Sequence, residues 1–140
     1  MEPVVEQLDE QECLRLISPG GVGRIAFTGR YGLSIFPVNY KVHDGSVVFR
    51  TADDSPFGED LRTGIQDADS KVAFEIDDVD SSAHEGWSVL IQGPAHHMDT
   101  SAEREVAKQV GVEPWPGGWR DDNIRITPTR MTGRRIRQGG

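Results

Sequence analysis

From Gly23 onward, apolar residues recur at every second position in three successive runs: Gly23, Ile25 and Phe27; then Ser34, Phe36, Val38, Tyr40 and Val42; then Val47 and Phe49. A period of two is that of a half-buried strand, with one face toward a core and the other toward water. The connections "TGRYG" and "HDG" are short and carry Gly or Asp-Gly, as hairpin turns do. Pro37 falls inside the middle run. It removes a ladder donor, so that part of the strand is expected at an edge, at a bulge, or beside something other than backbone.

Elsewhere the period changes. Residues 9–18 predict a short helix, with Asp9 and Glu12 as a variant capping box, Leu8 and Cys13 as a hydrophobic staple, and Pro19-Gly20-Gly21 as the stop. Phe57, Leu61 and Ile65 are four apart behind Ser55 and Pro56, which predicts a second helix of about three turns. Alternation returns in "KVAFEID" (Val72, Phe74, Ile76) and in "GWSVLIQGPAHHM" (Trp87, Val89, Ile91). Thr100 and Glu103 form another capping box, opening a helix through Ala102, Val106 and Val110 that stops at Gly111. After the irregular loop "VEPWPGGWRDDN", a final strand carries Ile124 and Ile126 and is positioned to break at Pro128. Six antiparallel strands in a chain this short favour a sheet closed on itself, because closure removes exposed edges. The expected fold is a small six-stranded antiparallel β-barrel decorated by helices.

Length and charge narrow the classes. A chain of 140 residues suits one domain. With 15 basic against 23 acidic residues its net charge is -8, which opposes nucleic-acid binding. Arg130, Arg134, Arg135 and Arg137 gather near the end and read as a solvated edge. No apolar run approaches the length of about 18 residues needed for a membrane span. The acidic start "MEPVVEQLDEQE" is unlike a signal or transit peptide, so a soluble cytoplasmic protein is expected. Cys13, the single cysteine, sits among Leu14, Leu16 and Ile17 on what reads as a buried helix face.

Hydrolytic chemistry finds little to rest on. No serine lies in a Gly-x-Ser-x-Gly elbow, and the pairs Asp53-Asp54, Asp77-Asp78 and Asp121-Asp122 fall in predicted turns. His96 and His97, with Asp99 close by, suggest metal ligation, but neighbours on a strand point to opposite faces, so at most one histidine joins any one site. No metal site and no catalytic side chain is assigned. What remains is a bound cofactor that carries the chemistry while the protein supplies shape and hydrogen bonds. The junction "FRTADDSPF" supports it: Arg50 and Thr51 end a strand just before Ser55 opens a helix, and guanidinium, hydroxyl and helix terminus can converge on a phosphate. Equally, Arg50 can be a solvent-facing strand residue and Ser55 a plain cap. Trp87 begins a strand and reads as core or as a ligand contact. Trp115 and Trp119 bracket "PGG" on a loop, where large aromatics commonly lie against a ring or a neighbouring subunit.

Together, "GRIAFTG", "SIFPVNYKV", "GSVVFRT", "GWSVLIQGPA" and "IRITPTRMTGRRI", in this order from about Leu8 to Ile136, resemble the pyridoxamine 5'-phosphate oxidase-like family of flavin-binding split β-barrels. The likeness is greatest to its short bacterial branch, which includes nitroimidazole-resistance proteins. The resemblance implies a single split-barrel domain over residues 1–140 and a homodimer with flavin mononucleotide (FMN) at the subunit interface. Pro37, Val38 and Asn39 would run beside the isoalloxazine ring, and Phe49, Arg50, Thr51 and Ser55 beside the ribityl and phosphate. Trp87, Ser88 and Gln92 lie on the strand that in relatives approaches a flavin, often from the other subunit. Trp119, from its loop alone, is expected to close over the site.

The family's loop lysine, which helps neutralise the phosphate, is missing from "ADDSPFGED", and Lys41 or Arg62 would have to compensate. The implied activity is an FMN-dependent oxidoreductase acting on a small organic molecule such as a nitro compound or quinone. Two rivals keep the fold: a reductase using the deazaflavin F420, and a non-catalytic flavin- or haem-binding or interaction protein. Haem would draw its axial ligand from His84, His96 or His97, or from His43 in its turn.

Overall fold

The computed structural model describes residues 2–51, 59–61, 65, 70–113 and 122–138. Its strands are β1 (Pro3–Leu8), β2 (Gly21–Gly29), β3 (Gly32–His43), β4 (Ser46–Thr51), β5 (Ser70–Asp80), β6 (Glu85–His97), β7 (Asp122–Ile126) and β8 (Arg130–Gln138). Two helices lie wholly within the described residues, α1 (Glu10–Ile17) and α2 (Ser101–Val110). Every pairing is antiparallel. Six strands close a ring in the order β6-β5-β2-β3-β4-β7 and back to β6. This is the expected six-stranded split barrel, carrying β8 and β1 as an added flange on β6.

The split lies on one edge of β6. Gly86 to Gln92 pair with β8, while Ala95 to His97 pair with β7. Pro128 separates those two strands, and the interrupted chain stays tied to β6 because Thr127 and Thr129 donate their backbone N–H groups to the carbonyls of Pro94 and Gln92. The close crossing needs a glycine. A Cβ on Gly93 would lie 2.1 Å from the Thr127 carbonyl oxygen.

Strand β1, absent from the sequence expectation, adds to the outer edge of β8 from Pro3↔Gln138 to Leu8↔Gly133. Glu6 reaches Arg135 at 3.6 Å and Arg137 at 3.0 Å across this pair. The terminal arginines are therefore partly a charge-matched strand edge. Helix α1 begins on Asp9, whose carboxylate accepts the Glu12 N–H, and its Cys13 packs onto Gly133, where a Cβ would come within 2.6 Å of the sulfur. Burial, then the nearby acidic residues, raise the Cys13 thiol above its ordinary pKa.

The core follows the period-two pattern. Ile25, Phe27, Val38, Tyr40, Phe49, Phe74, Val89, Ile91, Ile124 and Ile126 point inward and are buried. Phe74 is central, edge-on to Tyr40 and stacked near Phe49, with ring centroids 5.6 and 6.0 Å away. Full burial of each such ring contributes about 1.5 to 3 kcal/mol. Tyr40 also donates its hydroxyl to the Ile17 carbonyl at 2.8 Å, tying the end of α1 to the barrel. The hairpin expected at "HDG" forms with Asp44 and Gly45 both at positive φ, 49° and 73°, which matches the twist of the flanking strands. Of the second expected helix, Glu59 to Leu61 are helical and Leu61 and Ile65 are buried; its start at Ser55 lies outside the described residues. No described helix is long and apolar enough to cross a membrane.

Candidate functional site

Residues β3 and β4 pair only from Asn39↔Arg50 to His43↔Ser46. From Gly32 to Val38, β3 is bonded to β2 on one side, and no described strand lies on its other side. Pro37 falls in this half-paired stretch, so its missing N–H leaves no gap in a described ladder on that edge. This is the outcome its sequence position anticipates: an edge available to something other than a strand.

Beside the open edge, Asn39, Arg50 and Asn123 stand directly opposite one another across β3, β4 and β7. The segment leaving α2 lies over them. Thr100 and Glu103 close a reciprocal capping box at the start of α2, and Gly111 ends it in the left-handed conformation at φ 67°. The chain then crosses the sheet, where Asn39 Nδ2 donates to the Glu113 carbonyl at 2.9 Å and Arg50 donates to the Val112 carbonyl at 3.0 Å. A cleft of about 540 Å³ opens here, lined by Arg50, Arg104, Lys108, Asp99, Asp122 and Asn123 among others. Sequence reasoning missed Arg104 and Lys108. Their i,i+4 spacing gives them one face of α2, but nothing local says that face meets Arg50. Lys41 does not line the cleft, and Arg62 lies outside the described residues.

The other expected site residues divide by orientation. Val38, Phe49 and Thr51 are buried, with Val38 and Phe49 in the main core. Ser55 and Trp119, like Trp115, lie outside the described residues. Trp87 is half-buried against the core, and with Ser88 it lines a second cleft of about 550 Å³ that includes Glu75, Asp77, His84 and Arg134. Gln92 sits further along β6, its carbonyl accepting from the Thr129 backbone and hydroxyl. Within one protomer, then, Trp87 and Ser88 line one cleft and Arg50 another.

Between these clefts runs an outward sheet face with an apolar middle: Ala26, Ile35, Ala73 and Leu90 line one shallow depression together. Ile35 is 71% exposed and Val5, on the flange, 60%. Glu75 stands in this face. Burial first, then hydrogen bonding and charge from Asp77, push its carboxyl up to about 7, against the opposing pull of Arg24. The alternation in "KVAFEID" puts Ala73, Glu75 and Asp77 on one side, but it carries no sign that the side is apolar. The two adjacent histidines point apart, as alternation requires: His96 meets Glu103 at 2.8 Å and His97 meets Asp122 at 3.0 Å.

Comparison with known proteins supplies the lineage. The sequence pattern of the family described as pyridoxamine 5'-phosphate oxidase matches residues 9–135. The uncharacterized protein Rv0080 of Mycobacterium tuberculosis is 36% identical over 133 residues, covering 94% of this chain and 86% of that protein. Among solved structures, the FAD binding protein from Mycobacterium smegmatis superposes with a TM-score of 0.75 at 32% identity, over 94% of this chain and 100% of that one. The FAD and heme binding protein from the same organism shares the fold at 12% identity and a TM-score of 0.67, over 95% and 74% of the two chains. A ring split along one edge of β6, matched in sequence over nearly its whole length, makes this chain a member of the pyridoxamine 5'-phosphate oxidase family.

Proposed function

We propose that the protein binds a flavin and acts as an oxidoreductase on a small organic molecule, at a site completed between two copies of the chain. The observation that carries this reading is the half-paired stretch of β3 lying next to the cationic cleft of Arg50, Arg104 and Lys108. A flat heterocycle can hydrogen-bond to main-chain groups along the open edge that ends at Val38, next to Pro37 and Asn39, while a phosphate is drawn to the cations. Arg104 and Lys108 thereby take the place of the lysine missing from the acidic loop. Once bound, the flavin supplies the hydride or electron transfer, and the chain's own groups bind it, orient it and exclude water. No side chain is given an acid or base role.

The second copy is invoked because Trp87 and Ser88 line a different cleft from Arg50 within one chain. The apolar face of Ile35, Leu90 and Val5 is the surface through which that copy would dock. The flavin is either FMN or FAD; the name of the M. smegmatis relative at 32% identity favours testing FAD beside FMN. The F420 reductase reading keeps the same cleft but needs room for a long acidic tail. The non-catalytic reading is favoured by the acidic loop. Its haem version would draw on His84, which lines the Trp87 cleft, or on His96, His97 or His43, each of which has one ring nitrogen near a carboxylate.

The test is the visible spectrum of the purified protein, alone and titrated with FMN, FAD, F420 and haem. A flavin spectrum retained through gel filtration upholds the proposal. A Soret band or a deazaflavin band transfers the site to that cofactor, and no retained chromophore overturns a cofactor role.

A further inference from the structure

We propose a divalent-metal site at the seam of the barrel, formed by His97, Asp99 and Asp122. The ring closes where β6 meets β7, and that seam consists of three residue pairs, Ala95↔Ile126, His96↔Arg125 and His97↔Ile124. His97 ends β6, Asp122 begins β7, and Asp99 follows β6 on the way to α2. One ligand atom from each of the three lies within 4.8 Å of the other two. Metal–ligand bonds of about 2.1 Å place neighbouring donors about 3 to 3.4 Å apart. The His97 Nδ1 to Asp122 separation of 3.0 Å already meets this, and a turn of the exposed Asp99 side chain supplies the third ligand.

The backbone holds these donors in place without the metal. Met98, between His97 and Asp99, is buried under α2 with Val48, Ala107 and Val112, and its N–H donates to the Asn123 carbonyl at 2.9 Å. Two neighbours of the ligands are thereby bonded to each other across the seam. A neighbouring polar group in the cleft is unsatisfied. The side-chain oxygen of Asn123, which lines the same cleft as Asp99 and Asp122, is buried with no hydrogen-bond partner among the described residues. Such an acceptor is relieved by water, including water bound to a cation.

The ligand set selects the metal. One imidazole and two carboxylates suit a first-row divalent ion, with water filling the remaining positions on the exposed Asp99 side. Arg50, Arg104 and Lys108 line the same cleft and oppose a dication. Charge alone is therefore a poor source of affinity, and the nitrogen donor favours zinc over magnesium or calcium. Such an ion would fasten β6, β7 and the approach to α2 together.

Chelator-treated, tag-free protein is titrated with zinc chloride and with magnesium chloride by calorimetry, and its thermal unfolding is followed with and without each. One zinc per chain, a higher melting temperature in zinc, and at least ten-fold weaker binding by Asp99→Asn and by His97→Ala are expected. Asp99 makes no hydrogen bond or ion pair among the described residues, so Asp99→Asn should melt like the wild type without metal. His84→Ala serves as the control and should bind zinc normally. Absence of saturable zinc binding, or zinc binding unchanged in Asp99→Asn, overturns the proposal.

Discussion

Arg50 is held at both ends of its reach: its strand pairs it with Asn39 and Asn123, and its guanidinium bonds the Val112 carbonyl. A side chain so anchored loses little further freedom on meeting a phosphate. Replacement by alanine is expected to weaken flavin binding by about 1.5 to 3 kcal/mol, the range for a hydrogen bond to a charged group. Equilibrium titration of folded Arg50→Ala checks this, and unchanged affinity removes Arg50 from the site. Glu75 makes a pH prediction. Its carboxyl titrates near 7 in the folded protein, above the ordinary value of 4.5. Between those values the unfolded chain has released a proton that the folded chain still holds, so this residue's contribution to stability falls as pH rises through the window. Glu75→Gln should therefore melt above the wild type at pH 8, and the gap should close by pH 4. A gap independent of pH would show that Glu75 is not the titrating group. Gly23 is equally specific, because a Cβ there would lie 2.1 Å from the Phe74 ring. Gly23→Ala should cost about 1 to 3 kcal/mol in denaturant unfolding, as overpacked cores do.

At the scale of elements, α2 does more than cover Val48, since its C-terminal exit supplies the carbonyls that hold Asn39 and Arg50. Loss of its cap in Thr100→Ala should cost about 1 kcal/mol of stability. If the exit also shapes the cleft, that variant should bind flavin more weakly while remaining folded, a pairing that titration and chemical denaturation together can detect. What could be read in advance follows from how local each signal is. The barrel strands, both capped helices and the break at Pro128 are written in period, caps and prolines, all within a few residues. Strand β1 was not legible, because "PVVEQL" has little alternation of its own and becomes a strand only by meeting the free edge of β8. Arg104 and Lys108 were missed for the same reason: their partner Arg50 is brought to them by the fold. The resemblance implies Val38 and Phe49 for the site, and the structure turns both side chains into the core, because period two sends them inward.

For the whole molecule, the outward face of β2, β3, β5 and β6 sets the expected assembly. Ile35, at 71% exposure, stands among Ala26, Ala73 and Leu90 on a surface that a lone protomer would leave wet. Sedimentation at micromolar concentration is expected to give a dimer, and Ile35→Glu a monomer that also loses flavin, since the proposed site draws on both copies. A wild-type monomer that retains flavin would refute the shared site. The flange has a different consequence, one for how the chain folds. Pairing β1 with β8 joins residues 3–8 to residues 133–138, across almost the full sequence. Such a contact carries a large loop-closure cost until the intervening barrel exists. During synthesis β1 must wait beside an unfinished sheet, and β6 keeps its outer edge bare until residues 130–138 emerge. Folding should therefore end with the docking of β1, whose amides should be among the last to gain protection from hydrogen exchange in a pulse-labelled refolding experiment.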